Sequence, residues 1–414
     1  MALEPSEVMT AGALFFTNSQ LDKALESTDA LGQFIEEAKK KVEKHVEFGS
    51  SRNEFLSFMN VSPAMMKEMV YGISAAKGVK KWVTRDHKIK NDSVAEKVFL
   101  TGNVWPKEVE PFRVQAYGFD DYNSSDLIYK PADKKYFGVS LKKKPKPNSQ
   151  DPTLINKAFN TVLEGPEFKE TRDEIDNIRI TYFAGQVRQA HEDGILYIPN
   201  IHNLPDEELF YGKKRDKKIF KRPYPNTKGS LSGGYDNDKA PDAMRKFLND
   251  DLAKPNNILW KSLTGYMNQH ANIFAESLIN LVLKVKLYDE LAAKKVGGYT
   301  FGFALVTGMG EIKKGKPIAY DGKAIDLHTI LCGLSDLQSN KSKYEIEVDI
   351  EKKLEATAAK TFFKLSKAGV PILDMELRYK GDKTPQPQFL GTITKEFQEI
   401  LTKKCLVPGA DGAK

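Results

Sequence analysis

Cysteine is almost absent: Cys332 and Cys405 are the only two in 414 residues. That excludes a disulfide framework and a cysteine-ligated zinc site, and it suits a reducing compartment. The six histidines, His45, His87, His191, His202, His270 and His328, show no His-x-x-x-His or His-Cys spacing, which speaks against a zinc enzyme. His87 reads as structural or as an aid to proton transfer. No Gly-x-x-x-x-Gly-Lys-Ser/Thr loop and no Gly-x-Ser-x-Gly elbow occurs, so phosphate-loop ATPases and elbow-type serine hydrolases are set aside. Gly308-Met309-Gly310 lacks the strand-helix context of a dinucleotide site. No apolar run is long enough to span a bilayer, and Met1 to Phe16 lacks the basic start and continuous apolar stretch of a secretory signal. The expectation is a protein without a membrane partner, cytoplasmic or packaged by something made there.

What the chain does have is length and lysine. With 414 residues and 40% hydrophobic content it can bury a large core in two or three domains. The formal charge of +7 favours an anionic partner. Basic residues cluster at Lys39 to Lys44, Lys142 to Lys146 and Lys213 to Arg222. The last run holds Lys217, Lys218, Lys221 and Arg222 beside Phe220 and Tyr224, a mixture that suits phosphate contacts with base stacking or a plain basic loop.

The most informative stretch is 123 to 144. Phe137, Val139 and Leu141 alternate with Gly138, Ser140 and Lys142, the pattern of a strand. The polar segment Lys130 to Lys135 then makes a hairpin with a preceding strand headed by Asp126. Antiparallel pairing brings Asp126 beside Lys142. An acid facing a lysine in this way suits a metal-dependent phosphodiesterase, the acid holding a hard cation and the lysine orienting water beside a phosphate.

These residues resemble the PD-(D/E)xK nuclease superfamily, the restriction-endonuclease-like proteins. The resemblance implies an α/β core of helix, three-stranded antiparallel meander, second helix and a further strand. Asp126 matches the metal-binding Asp and Lys142 the catalytic Lys. Ser140 stands where the family has its second acid. A serine hydroxyl is a poor magnesium ligand, so either a carboxylate from elsewhere supplies the missing charge or the site is catalytically dead. The resemblance covers residues 90 to 170. In that frame, 92 to 100 reads as a helix capped by Asp92 or Ser93 and presenting Glu96. Residues 111 to 118 read as the first meander strand, and 151 to 159 as a helix capped by Asp151 with Pro152 at its first position. Asn156 or Gln150 would orient the site from behind.

Along the remainder, residues 1 to 85 read as a helical region, with Ser62-Pro63 opening a helix striped by Met65, Met66, Met69 and Ile73. The nuclease-like core is placed at 86 to 200, with a further strand from 177–183 or 195–198. Residues 201 to 257 read as a loop-rich basic insertion able to close over substrate. The mixed α+β C-terminal region, 258 to 414, is read with helices at 258–295 and 351–366 and strands at 299–307, 344–350 and 372–379. Arg378 and Lys380 share a strand face, solvated or clamping phosphate.

The resemblance implies DNA cleavage, endo- or exonucleolytic, of a viral or restriction type, with Mg2+ or Mn2+ held by Asp126, Glu96 and the Leu141 carbonyl. Lys142 would act on the water and Ser140 would sit beside them, with Lys143 and Lys144 among the nucleic-acid contacts. The alternative is a non-catalytic nucleic-acid-binding or virion assembly protein on a degraded scaffold, alone, as a homo-oligomer or with virion proteins. An unrelated mixed α/β binding protein is the third reading.

Overall fold

The computed structural model describes residues 4–49, 52–102, 104–113, 125–131, 135–148, 155–158, 162–163, 165–211, 240–254, 257–283, 301–326, 329, 333, 337, 339, 342–349, 360–380 and 384–404. Contacts divide the chain into two compact units, each discontinuous in sequence. One comprises Met1–Pro152, Val282–Asp336 and Ile400–Lys414, and the other Thr153–Leu281 and Leu337–Glu399.

The first unit opens with five helices, α1 (Pro5–Ala13), α2 (Asn18–Ala24), α3 (Thr28–His45), α4 (Arg52–Ser57) and α5 (Pro63–His87). Their starts are written in the sequence. Ser27 accepts the Ala30 N–H at 3.0 Å and Ser62 accepts the Met65 N–H at 3.4 Å, with Pro63 at the first helical position. On α3, Leu31, Phe34, Ile35, Ala38 and Val42 are buried at helical spacing while Lys40, Lys41 and Lys44 are exposed. That basic run is therefore the solvated face of an amphipathic helix. The methionine stripe on α5 enters the core through Met69 and Ile73.

Six strands form the sheet of this unit in the order β1 (Val46–Phe48), β2 (Ala95–Leu100), β3 (Leu127–Pro131), β4 (Tyr136–Lys144), then, after β5 (Ile155–Ala158) has joined the other unit, β6 (Phe301–Lys313) and β7 (Lys316–Asp326). The β3–β4 hairpin stands as the alternation requires, pairing Leu127 with Val139 and Tyr129 with Phe137, all four buried in the core. β2 runs antiparallel to β3, whereas β4 and β6 are parallel.

Three readings around the hairpin are corrected. Residues 95–100 form β2, not a helix. Asp92 is no helix cap: it takes φ 62° and its Oδ1 accepts the Asn18 N–H at 2.6 Å. Buried Val98, Phe99 and Leu100 then favour the pleated ladder. Glu110–Phe112 is a short 3-10 turn, while 114–118 lies outside the described residues. Residues 155–158 pair antiparallel with the penultimate element of the chain rather than forming a helix.

The second unit holds α6 (Lys169–Glu192), α7 (Asp206–Tyr211), α8 (Ala240–Leu252), α9 (Ile258–Gln269) and α10 (Ala271–Leu283). Its antiparallel sheet has the order β5, β11 (Thr384–Ile393), β10 (Val370–Lys380), β9 (Lys360–Lys367), β8 (Tyr344–Asp349), and α11 (Lys395–Lys404) follows. The β-prone run 177–183 is helical, because Thr171, Ile175, Arg179, Tyr182 and Phe183, Val187 and Ala190 bury one helical stripe that outweighs local propensity. Residues 195–198 form no strand, and the expected helix at 351–366 is a strand from Lys360 onward. The sheet that was expected to take its further strand from 177–198 takes β6 instead.

Helix α5 lies across β6 and β7 at very close range. Ser74 Oγ donates to the Tyr320 carbonyl at 2.7 Å and accepts the Met309 N–H at 2.9 Å, holding both strands at their bulges. A Cβ on Gly322 would stand 2.2 Å from the Ser74 carbonyl oxygen. Gly322→Ala therefore forces helix and strand apart and is expected to cost about 1–3 kcal/mol, read as a lowered melting temperature by circular dichroism.

Candidate active site at the head of the hairpin

Asp126 immediately precedes β3 and is fixed by its backbone. Its N–H donates to the Val139 carbonyl at 2.9 Å, and its carbonyl accepts the Thr101 N–H at 3.3 Å. The side chain turns to β4. Oδ2 accepts the Leu141 N–H at 2.5 Å and the Ser140 hydroxyl at 3.3 Å. Ser140 is 3% exposed, so at the second-acid position this chain holds a donor to Asp126 rather than a second charge.

A second carboxyl group, that of Glu7 on α1, acts on Asp126. Glu7 is held well above the usual carboxylate range, at about 8, first by burial and then by the charge of Asp126, with Glu4 adding to the rise and Lys142 opposing it. The Glu4 N–H donates to Glu7 Oε2 at 2.8 Å and also works against it. Asp126 is likewise pushed up by burial, opposed by Lys142, the Leu141 N–H and the Ser140 hydroxyl. Glu7, Asp126 and Lys142 thus act on one another electrostatically. Beside them Lys143 bridges two acids, 3.0 Å from Glu4 and 3.2 Å from Glu68. Burial lowers the Lys143 pKa, but those two carboxylates outweigh it and leave it raised.

Carboxylate oxygens are the donor chemistry of a hard divalent cation, and magnesium is commonly held by one or two protein carboxylates plus water and substrate oxygens. Among the described residues no group of three or more His, Cys, Asp or Glu side chains is arranged to hold a metal by itself. Asp126 and Glu7 offer two carboxyl groups, fewer than such a set by itself requires.

Other expected residues lie elsewhere. Glu96 is exposed on β2, and Ala95 pairs with Pro131 at the far end of β3. Thr101, not Glu96, is opposite Asp126, so Glu96 stands about 16 Å along the strand from the site. Lys144 is 4% exposed and donates to the Pro147 carbonyl at 2.9 Å, which withdraws it from solvent. His87 lies 3.0 Å from Asp326 and packs on Trp82 and Phe137, toward the start of β4 and away from the Ser140–Lys142 end. Asn156 sits on β5 in the second unit. Arg378 and Lys380 are on β10, where the pairing register with β11 shifts after Tyr379. Lys217, Lys218, Lys221, Arg222 and Gln150 lie outside the described residues.

Glu7 escaped the sequence reading because it stands more than a hundred residues before Asp126. Its signal is an acid one turn inside a helix otherwise composed of small and apolar residues, Val8 to Ala13. Comparison of the chain with family models, with curated proteins and with solved structures finds no match. No described helix is long and apolar enough to cross a membrane.

A carboxyl whose pKa is raised by folding binds its proton more tightly in the native state, so its ionisation lowers stability as pH climbs from about 4.5 to about 8. Without divalent cations, Glu7→Gln is expected to match wild type near pH 4 and to be more stable at pH 8, by about 1 kcal/mol or more. Paired thermal melts at the two pH values check the difference.

Proposed function

We propose that this chain is a metal-assisted phosphodiesterase acting on DNA, with Asp126, Glu7 and Lys142 as its working groups. The observation that carries the reading is the geometry at the head of the hairpin, where the Leu141 N–H and the buried Ser140 hydroxyl both bond the Asp126 carboxylate on the strand that carries Lys142. Ser140 carries no charge, and this reading assigns the second acid's part to Glu7, on which the charge of Asp126 acts. The order of elements adds support: β2, β3 and β4 form an antiparallel meander and β6 returns parallel to β4, with helices α1 and α5 ahead of the meander. A meander followed by a further strand supports the reading, while residues 155–158 form a strand where the PD-(D/E)xK resemblance implies the second helix.

In this reading Asp126 and Glu7, with the Leu141 carbonyl, would hold Mg2+ or Mn2+. The cation supplies charge stabilisation for the phosphoryl oxygens and an activated water. The Leu141 N–H and the Ser140 hydroxyl fix which way Asp126 faces. Lys142 places a positive charge beside the two carboxylates, where it orients water and stabilises negative charge that develops on the phosphate. Lys143, already between Glu4 and Glu68, is available to exchange a carboxylate for a substrate phosphate.

Buried Ser140 favours one second reading, a binding or assembly protein that retains the scaffold without turnover. Cleavage of linear, circular and single-stranded DNA by wild type, Asp126→Asn and Lys142→Ala, with Mg2+, Mn2+ or EDTA, separates the two. The expected result is metal-dependent cutting that falls about 10²-fold or more in each variant, with folding intact. Cutting that survives undiminished in both variants contradicts the assignment. Salt-sensitive binding without any cutting favours the second reading.

A further inference from the structure

Beyond Met309, the last residue of β6 paired to β4, the β6–β7 hairpin continues as a two-stranded ribbon to the pair Lys313 and Lys316. Its two faces differ. Gly310, Ile312 and Ala319 look toward the core, where a Cβ on Gly310 would meet Val70 of α5. Glu311, Lys313, Lys316, Ile318 and Tyr320 take the alternate face. The ribbon is thus backed by a helix and presents its other side outward.

Its tip is all lysine. Lys313, Lys314 and Lys316 are exposed, and the two central turn residues, Lys314 at φ 51° and Gly315 at φ 75°, both take the left-handed conformation of a tight hairpin turn. Asparagine before glycine is the favoured choice there, so a lysine at Lys314 keeps a charge at the cost of local backbone comfort. None of the three makes an ion pair among the described residues, in contrast to Lys143. The ribbon's Glu311 is engaged by other donors as well. Glu311 accepts from the Tyr320 hydroxyl at 2.8 Å and pairs with Lys146 at 3.5 Å, although its charge also acts on Lys313. Asp321 is exposed farther down β7.

We propose that this ribbon is a non-sequence-specific anchor for the phosphate backbone of duplex DNA. Three point charges within one tight turn match the charge density of a duplex, about one phosphate per 1.7 Å of axis. No arginine, asparagine or glutamine stands at the tip to read base edges in bidentate fashion, and the ribbon's one aromatic, Tyr320, spends its hydroxyl on Glu311. Backbone anchoring without base reading or base stacking is the mode this composition permits. Lys142 is in register with Thr307, six residues before Lys313, so the tip stands about 20 Å from Lys142 along the strand direction, the width of one duplex. The anchor rests on the nuclease reading only for the direction in which it presents DNA, and its binding is measurable without catalysis.

The test is fluorescence anisotropy in EDTA with a labelled 25-base-pair duplex and the same-length single strand, for wild type and Lys313→Gln/Lys314→Asn/Lys316→Gln, across a salt series. Asn at 314 suits the turn, and a melt of each protein checks folding. The expected result is about a tenfold or greater loss of duplex affinity, a salt slope smaller by about 2 to 3, and a lesser effect on the single strand. An unchanged duplex affinity and slope in the folded variant overturns the anchor, as does an equal loss on both substrates. Cleavage assays with Mn2+ run in parallel report on the other reading: duplex binding lost in the variant with no cutting by wild type keeps the anchor and removes the nuclease. Cutting with unaltered binding does the reverse.

Discussion

The hydrogen bond from the Leu141 N–H to Asp126, 2.5 Å long, is the contact on which the rest of the site depends. It ties the carboxylate at the head of β3 to the strand that carries Ser140, Lys142 and Lys143, and so converts a hairpin register into a chemical arrangement. The consequence is a half-buried carboxyl group acted on by a second, that of Glu7 on α1. Burial first, and the charge of Asp126 second, hold Glu7 up at about 8.

Charge elsewhere in the first unit is arranged more conservatively. Glu108 is surrounded by Lys97, Lys130 and the Tyr136 hydroxyl, and these donors outweigh its burial and hold it down at about 2. Lys80, 1% exposed, donates to the Phe16 carbonyl at 2.6 Å, stitching α5 to the end of α1 while burial lowers its pKa against the pull of Asp92. The modest net charge therefore misleads when taken as a single number. Several of the lysines are structural cations, and what matters is which ones keep an open face.

The hairpin was legible because strict alternation over Phe137 to Leu141 leaves one face for the core, and a strand so patterned has one register. The helical N-terminus was legible from Ser62-Pro63 and the stripe on α3. The expected helix at 92–100 failed because Asp92 resembles a cap in one dimension but in three holds the Asn18 N–H from α2. The strand expected at 177–183 failed because β-branched residues there serve a long helix whose burial repeats every three to four positions. Glu7 was invisible for a different reason. Its role depends on the packing of α1 near the hairpin, a contact between residues far apart in the chain that no local pattern announces, and Lys144 was misjudged in the same way, since its burial follows from how the chain turns at Pro147.

Asp126 and Glu7 forming one cation site is the central claim, and electron paramagnetic resonance of Mn2+ titrated into the metal-free protein tests it without any substrate. The account predicts that wild type removes a single equivalent of free Mn2+ from the spectrum and that Glu7→Gln and Asp126→Asn each lose that same equivalent while remaining folded. Undiminished Mn2+ binding in Glu7→Gln would contradict it, because the helix α1 carboxylate would then have no part in the site.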